Sequence, residues 1–240
     1  PPPPSPSPPP PSPPPWVIGP PRLPPPSPLP PPPFPPPAKT TITEVRLGGL
    51  FQHHKSNAVN DNAGRLLAFV MAVQEINNSP DILPYTTIRF AVKDSACNKG
   101  SALISAHELA RTSFSGLGAD AVIGAACSDA SVSAAEYLTK YQIPQLSPSS
   151  TGSALSDGAA YPFFARTPPS DAWQNFALAD LVEHLLKAER VATVNSEDAY
   201  GTSNMEAFTS EANQRNLRVL ASTSFVSGQT NFTSNVDVLR

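Results

Sequence analysis

The first 37 residues of the chain, Pro1–Pro37, cannot form a helix or a sheet, because most of the chain's 32 prolines lie there. Proline has no backbone N–H to donate, and the segment has few apolar side chains with which to build a core. It is therefore predicted to be a disordered polyproline II linker, extended by about 3.1 Å per residue. We assign residues 1–40 to this linker, so the folded part of the chain must lie beyond them.

Ser-Pro runs give the proline tract a second interpretation. The runs at 4–8 and 11–13 resemble the hydroxyproline-rich, O-glycosylated modules of plant and green-algal cell walls. This resemblance implies a chain that is associated with a cell wall. A plain rigid linker explains the same composition, and both interpretations stay open.

Charge and hydropathy exclude some partners. The chain has 16 basic and 19 acidic residues and shows no basic patch, so nucleic acid is not an expected partner. The sequence contains no apolar run of membrane-spanning length and no signal-peptide pattern. We expect the chain to be a fragment whose parent carries a signal and a membrane anchor elsewhere.

Beyond the proline tract, strand and helix patterns alternate along the chain. Apolar strands are predicted at 45–51, 87–92, 121–124 and 145–147, and amphipathic helices at 64–77, 102–111 and 131–141. Such alternation predicts an α/β fold in which helices cover both faces of a parallel sheet. Ligands of such folds bind beyond the carboxyl ends of the strands.

A second series of the same kind begins after Asp157. Strands are predicted at 163–166, 191–194 and 219–225, and helices at 172–187 and 201–216. We therefore predict a first lobe over residues 41–157 and a partial second lobe over residues 158–240.

Several segments together carry a family resemblance, which their order and spacing make specific. They are 65–78 (RLLAFVMAVQEINN), 94–97 (DSAC), 143–147 (IPQLS), 155–157 (LSD), 161–167 (YPFFART), 169–171 (PSD) and 196–201 (SEDAYG). They resemble the receptor family ligand-binding region, which includes the clamshell ectodomains of natriuretic-peptide, metabotropic glutamate and GABA-B receptors. The resemblance implies a two-lobed, periplasmic-binding-protein type I-like clamshell whose second lobe is incomplete here.

The resemblance also gives the two cysteines a role. Cys97 and Cys127 each follow a predicted strand, and the family has a disulfide at matching positions. We expect the bridge to join the carboxyl edges of adjacent strands. Two reduced core cysteines in a cytosolic protein are the alternative. The glycosylation sequons at Asn77 and Asn231 are consistent with an extracellular chain.

The family's amino-acid-sensing members imply a set of ligand-binding residues. Ser128, Ser149 and Thr151 match positions that bind the α-carboxylate, Asp171 matches the acceptor of the α-amine, and Tyr200 matches an aromatic that closes over the ligand. The residues themselves favour this interpretation, since hydroxyls and a helix N-terminus suit an anion and a carboxylate suits a cation. Helix capping by the serines and Asp171, and plain packing of Tyr200, are the alternatives.

Motifs of catalysis are absent from the sequence, so we expect no enzyme, no catalytic residue and no cofactor. It has no phosphate-binding loop, no nucleophile elbow and no zinc-spaced Cys/His cluster. His53 and His54 are adjacent, and on a strand they would point to opposite faces, so they do not predict a metal site.

The preferred function is the extracellular ligand-binding domain of a membrane signalling receptor, which senses an amino-acid-like small molecule by lobe closure. A receptor homodimer is an expected assembly, and the membrane would be reached through segments outside this chain, at the extracellular face of the plasma membrane. Two alternatives are a solute-binding protein for amino-acid transport and a passive wall or adhesion glycoprotein module.

Overall fold

The computed structural model describes residues 43–52 and 61–240. The proline tract and the pair His53 and His54 lie outside these residues, so the predictions made for them stay predictions.

Strands and helices alternate through the described part of the chain. The strands are β1 Thr43–Phe51, β2 Thr86–Asp94, β3 Ala121–Gly124, β4 Gln145–Ser147, β5 Phe164–Arg166, β6 Arg190–Ser196 and β7 Arg218–Phe225. The helices are α1 Asp61–Asn78, α2 Lys99–Arg111, α3 Ser128–Thr139, α4 Ala172–Asp180, α5 Ala199–Gln214 and α6 Thr233–Leu239. A 3-10 turn at Ser153–Ser156 precedes β5, and one π-helical turn, Leu181–Leu185, extends α4.

Two parallel sheets organise these elements. The first has five strands in the order β2-β1-β3-β4-β5, and the second pairs β6 with β7. Every pairing between these strands is parallel, as the alternating pattern predicts. The carboxyl ends of the strands in the first sheet therefore meet at one edge.

One strand belongs to a different sheet from the one predicted. The strand at 163–166 was expected to open the second lobe, but Phe164 pairs with Gln145 and Arg166 with Ser147 at the edge of the first sheet. The connection between β4 and β5, residues 148–163, contains only a 3-10 turn, and β4 offers an open edge on that side. The prediction that this strand lies in the second lobe is wrong.

Helix α3 begins three residues before its predicted start. The backbone N–H of Ser131 bonds the carbonyl of Cys127 at 2.9 Å, so the first helical turn already includes Ser128. The helix predicted at 172–187 is α-helical only to Asp180, where the π-helical turn takes over. Helix α6 and the 3-10 turn were not predicted.

A core of small and branched side chains fixes the first sheet against α2 and α3. Leu50, Leu109, Val122 and Leu138 are fully buried in it. Alanines on both helices join the same cluster and let α2 and α3 approach closely: Ala102, Ala106, Ala130 and Ala134. Because burial on this scale removes large apolar areas from water, β1 and β3 are held firmly beneath the start of α3.

Candidate functional site

A disulfide marks the carboxyl edge of the first sheet. Cys97 follows β2, Cys127 follows β3, and their sulfurs are bonded with the Cα atoms 5.5 Å apart. The predicted bridge is therefore present, and the alternative of two reduced cysteines does not hold. The expectation of adjacent strands was wrong in one respect, because β1 lies between β2 and β3. The bridge instead joins the loops that extend past the end of β1.

Ser128 stands at the N-terminus of α3 but does not cap it. The N-cap residue is Cys127, and no side chain accepts a hydrogen bond from the first turn. Ser128 is 7% exposed, and its Oγ accepts a hydrogen bond from the backbone N–H of Gly152 at 3.0 Å. Arg166 Nη1 holds the carbonyl of the same glycine at 2.8 Å. The capping alternative for Ser128 therefore fails, and the positive end of the α3 dipole has no side-chain acceptor on it.

Three buried hydroxyls shape the turn after β4. Ser147, Ser150 and Ser131 donate to the carbonyl oxygen of Ala125 at 2.6, 3.2 and 3.0 Å. Sequence reasoning missed this cluster, although the hydroxyl-rich run after β4 was a usable signal. Because Ser147 and Ser150 turn inward, Ser149 and Thr151 are left on the open side.

Four of the five predicted ligand-binding residues line one cleft. Ser128, Ser149, Thr151 and Tyr200 surround a cavity of about 720 Å³ beside the disulfide. Its walls come from the loops at the carboxyl edge of the first sheet and from the segment that enters α5. This volume lies in the range that small-molecule sites occupy.

Asp171 is not brought into that cleft. Its side chain is 3% exposed and lines a second cavity of about 510 Å³, which shares Tyr200 with the first. Asp171 Oδ2 accepts hydrogen bonds from Thr151 Oγ1 at 2.8 Å and from Asn204 Nδ2 at 3.1 Å. Although Asp171 precedes α4, its side chain accepts no capping bond, so the capping alternative fails here too.

Tyr200 connects the cleft to this buried carboxylate. Burial raises the pKa of the Tyr200 phenol, and a hydrogen bond with Asp171 raises it further. The hydroxyl therefore stays protonated at physiological pH. Asp171 thus holds the Thr151 hydroxyl, which lines the cleft, and its charge acts on the Tyr200 phenol beside it.

Hydrogen bonds join α5 to the first sheet's loops beside the cleft. Ser153 Oγ donates to the carbonyl of Ser203 at 2.6 Å, and its backbone N–H donates to Asn204 Oδ1 at 3.3 Å. The backbone N–H of Ala199 donates to Asp129 Oδ1 at 3.3 Å. Asn204 was missed by sequence reasoning, since its importance depends on contacts with residues distant in the chain.

The two sequon asparagines differ in their contacts. Asn77 Nδ2 donates to the carbonyl of Ile88 at 2.8 Å, and Asn77 Oδ1 accepts from the N–H of the same residue at 2.8 Å. Asn231 is exposed, and its Oδ1 accepts from the N–H of Thr233 at 3.0 Å. The amide nitrogen of Asn231 has no hydrogen-bond partner in the described part of the chain.

We expect a glycan on Asn231 and none on Asn77 when the chain is secreted from a eukaryotic cell, because the Asn77 amide is held by the backbone of β2. The measurement is the mobility shift on endoglycosidase treatment. Asn231→Gln should abolish the shift, whereas Asn77→Gln should preserve it and lower the stability. A shift that disappears in Asn77→Gln would contradict this assignment.

No helix in the described residues has the length and apolar character needed to cross a membrane. Within residues 43–52 and 61–240, no three His, Cys, Asp or Glu side chains are placed to hold one metal ion.

A parallel sheet whose carboxyl edge opens into a cleft, with a second α/β unit against it, defines a ligand-binding lobe of the periplasmic-binding-protein type I class. Residues 64–240 match the family model described as receptor family ligand binding region. The chain belongs to this family.

Curated relatives point the same way. The chain is 31% identical over 204 residues to a metabotropic glutamate receptor of Drosophila melanogaster, covering 72% of this chain and 21% of that protein. It is 33% identical over 192 residues to metabotropic glutamate receptor 4 of Macaca fascicularis and of Rattus norvegicus, covering 69% of this chain and 21% of each. The chain therefore spans about a fifth of the length of these relatives.

Proposed function

We propose that this chain is part of the extracellular ligand-binding domain of a membrane signalling receptor, and that it binds an amino-acid-like small molecule. The observation that carries the proposal is the convergence of Ser128, Ser149, Thr151 and Tyr200 on one cleft. The names of the relatives, metabotropic glutamate receptors, support an amino acid as the class of ligand.

The first half of the proposed chemistry is recognition of a carboxylate. The uncapped N-terminus of α3 offers backbone N–H groups and the positive end of the helix dipole. The hydroxyls of Ser128 and Ser149 add side-chain donors in the cleft, whereas the Thr151 hydroxyl donates its proton to Asp171 and would have to turn toward the ligand to add a third. A ligand carboxylate would therefore meet several hydrogen-bond donors at once.

The second half concerns the ligand's amine. The Asp171 carboxylate is proposed to accept a hydrogen bond from this amine, which would reach it past Thr151 and Tyr200. On Oδ2 the amine would displace Asn204 Nδ2, which donates to that atom at 3.1 Å. The amine would then replace a neutral donor with a charged one, and such bonds are stronger.

Lobe closure is the proposed way in which binding is transmitted. A ligand that bridges the hydroxyls of the first lobe and Tyr200 of the second makes both sets of contacts only in the closed state, so it stabilises that state. The predicted lobes, 41–157 and 158–240, would then divide after Arg166 rather than at Asp157, since β5 pairs with β4. Membrane attachment, homodimer formation and glycosylation belong to the same proposal.

A transport solute-binding protein would use the same cleft. The relatives favour the receptor, since those matched over 69–72% of this chain are receptors by name. A passive wall module is disfavoured by the cleft itself, because a module without a ligand has no need for converging hydroxyls.

Ser128→Ala and Thr151→Ala are each expected to weaken amino-acid binding at least about tenfold, since the first removes a donor to the ligand's carboxylate and the second removes the hydroxyl that positions Asp171. The measurement is isothermal titration calorimetry of the full-length protein with the twenty common amino acids. Ser210→Ala on the exposed side of α5 is the matched control and should bind as the unmodified protein does. If both cleft variants bind every amino acid unchanged, the proposed site is wrong.

A further inference from the structure

The charged side chains that line the cleft are all of one sign among the residues that the structure describes. Asp129, Glu197 and Asp198 line it, and no lysine, arginine or histidine does so among the residues that the structure describes. The cleft therefore combines hydroxyls and helix N–H groups with three carboxylates. The inference drawn from this rests on the proposed function, because it concerns the ligand of the same cleft.

Neutral groups hold each of these carboxylates. Asp129 Oδ1 accepts from the N–H of Ala199 at 3.3 Å, and Glu197 Oε1 accepts from Ser224 Oγ at 3.0 Å. Asp198 Oδ1 accepts from the N–H of Gly201 at 2.7 Å as the N-cap of α5. Within residues 43–52 and 61–240, none of the three forms an ion pair, and each keeps one oxygen without a partner. Within the described residues, no cationic side chain therefore neutralises them, and only helix N-termini offset the charge of Asp129 and Asp198.

A metal ion does not explain this arrangement. The three carboxylates are not close enough to one another to share an ion, and divalent cations need several oxygen ligands at short range. An extended organic cation can meet separate carboxylates in turn, since its charge sits at the end of a flexible chain.

Ser128 provides an independent indication of a ligand in the cleft. Its side chain is more than nine-tenths buried, and its Oγ accepts from Gly152 while the hydroxyl proton has no acceptor in the described part of the chain. A buried donor of this kind usually has a partner. A carboxylate in the cleft would supply one.

We propose that the cleft selects a basic amino acid, one with an ammonium or guanidinium side chain, over an acidic one. The α-carboxylate binds Ser128 and the N-terminus of α3, and the cationic side chain lies among Asp129, Glu197 and Asp198. Opposite charge across the cleft attracts a basic ligand, and like charge repels the side chain of glutamate or aspartate. The ligand class therefore differs from the one in the relatives' names.

The test is calorimetric titration of the full-length protein with L-lysine, L-arginine, L-leucine and L-glutamate at pH 7.4 and physiological salt. Lysine or arginine is expected to bind at least about 30-fold more tightly than glutamate. Glu197→Gln and Asp129→Asn should each weaken binding of the basic amino acid about tenfold and leave leucine binding within about twofold. Glu206→Gln, a carboxylate on α5 away from this cleft, is the matched control and should change neither.

The outcomes separate the two proposals. Tightest binding of glutamate, or of leucine with no effect of Glu197→Gln, would overturn the basic ligand and leave the amino-acid receptor standing. Absence of binding by all four amino acids would overturn the basic ligand, and absence of binding by all twenty common amino acids would overturn both. Calcium chloride alone should give no heat of binding, and saturable calcium binding that Glu197→Gln abolishes would reassign the carboxylates to a cation site.

Discussion

Replacing Cys97 and Cys127 together by serine is expected to lower the free energy of unfolding by roughly 3–4 kcal/mol. The bridge spans 30 residues of sequence, and a cross-link over a loop of this length removes much of the conformational freedom of the unfolded chain. The loss is a large fraction of the roughly 5–15 kcal/mol that typically separates folded from unfolded domains.

Urea denaturation followed by circular dichroism measures this effect. The unmodified protein in a reducing buffer is the matched control and should unfold at the same urea concentration as the double variant. Since both cysteines line the cleft, amino-acid binding should weaken in parallel. An unchanged unfolding midpoint in the double variant would show that the bridge contributes no stability.

Gly124→Ala is expected to destabilise the first lobe by at least about 3 kcal/mol. Gly124 ends β3 with φ +118°, a conformation that side chains rarely adopt, and an added Cβ would collide with the carbonyl oxygen of Leu50. That oxygen belongs to the backbone of β1 in the middle of the sheet, so it cannot move aside without breaking the strand pairing.

The comparison that isolates this effect is Gly64→Ala in the same urea experiment. Gly64 lies in α1 with open space around its Cα, so alanine there should stabilise the protein by about 0.5–1 kcal/mol. Equal unfolding midpoints for Gly124→Ala and the unmodified protein would mean that the end of β3 is not held against β1 as described.

The strands and helices of this fold could be predicted from periodicity, but the sheet to which each strand belongs could not. The predicted segments at 121–124 and 145–147 coincide with β3 and β4, because a short apolar run between turn residues has few other outcomes. The strand at 163–166 has the same pattern as any other buried strand. Its membership of the first sheet depends on which edge is open when the chain folds, and a local pattern does not contain that information.

The candidate site also has residues that the sequence could locate and residues that it could not. The order of motifs located Ser128, Ser149, Thr151 and Tyr200, and these do meet at one cleft. The burial of Asp171 and its bond to Asn204 depend on how α5 approaches the first sheet, 33 residues further along the chain. The carboxylates of the cleft were missed for the same reason, since Asp129 and Glu197 come from distant parts of the sequence.

The side chain of Asn77 has a consequence for the behaviour of the protein in concentrated solution. Strand β2 is an edge of the five-stranded sheet, and an open edge invites a strand of another molecule to add to it. The Asn77 amide occupies both backbone groups of Ile88, as a neighbouring strand would do. Loss of this amide would expose a template for intermolecular pairing, so the last turn of α1 protects the folded chain from aggregation.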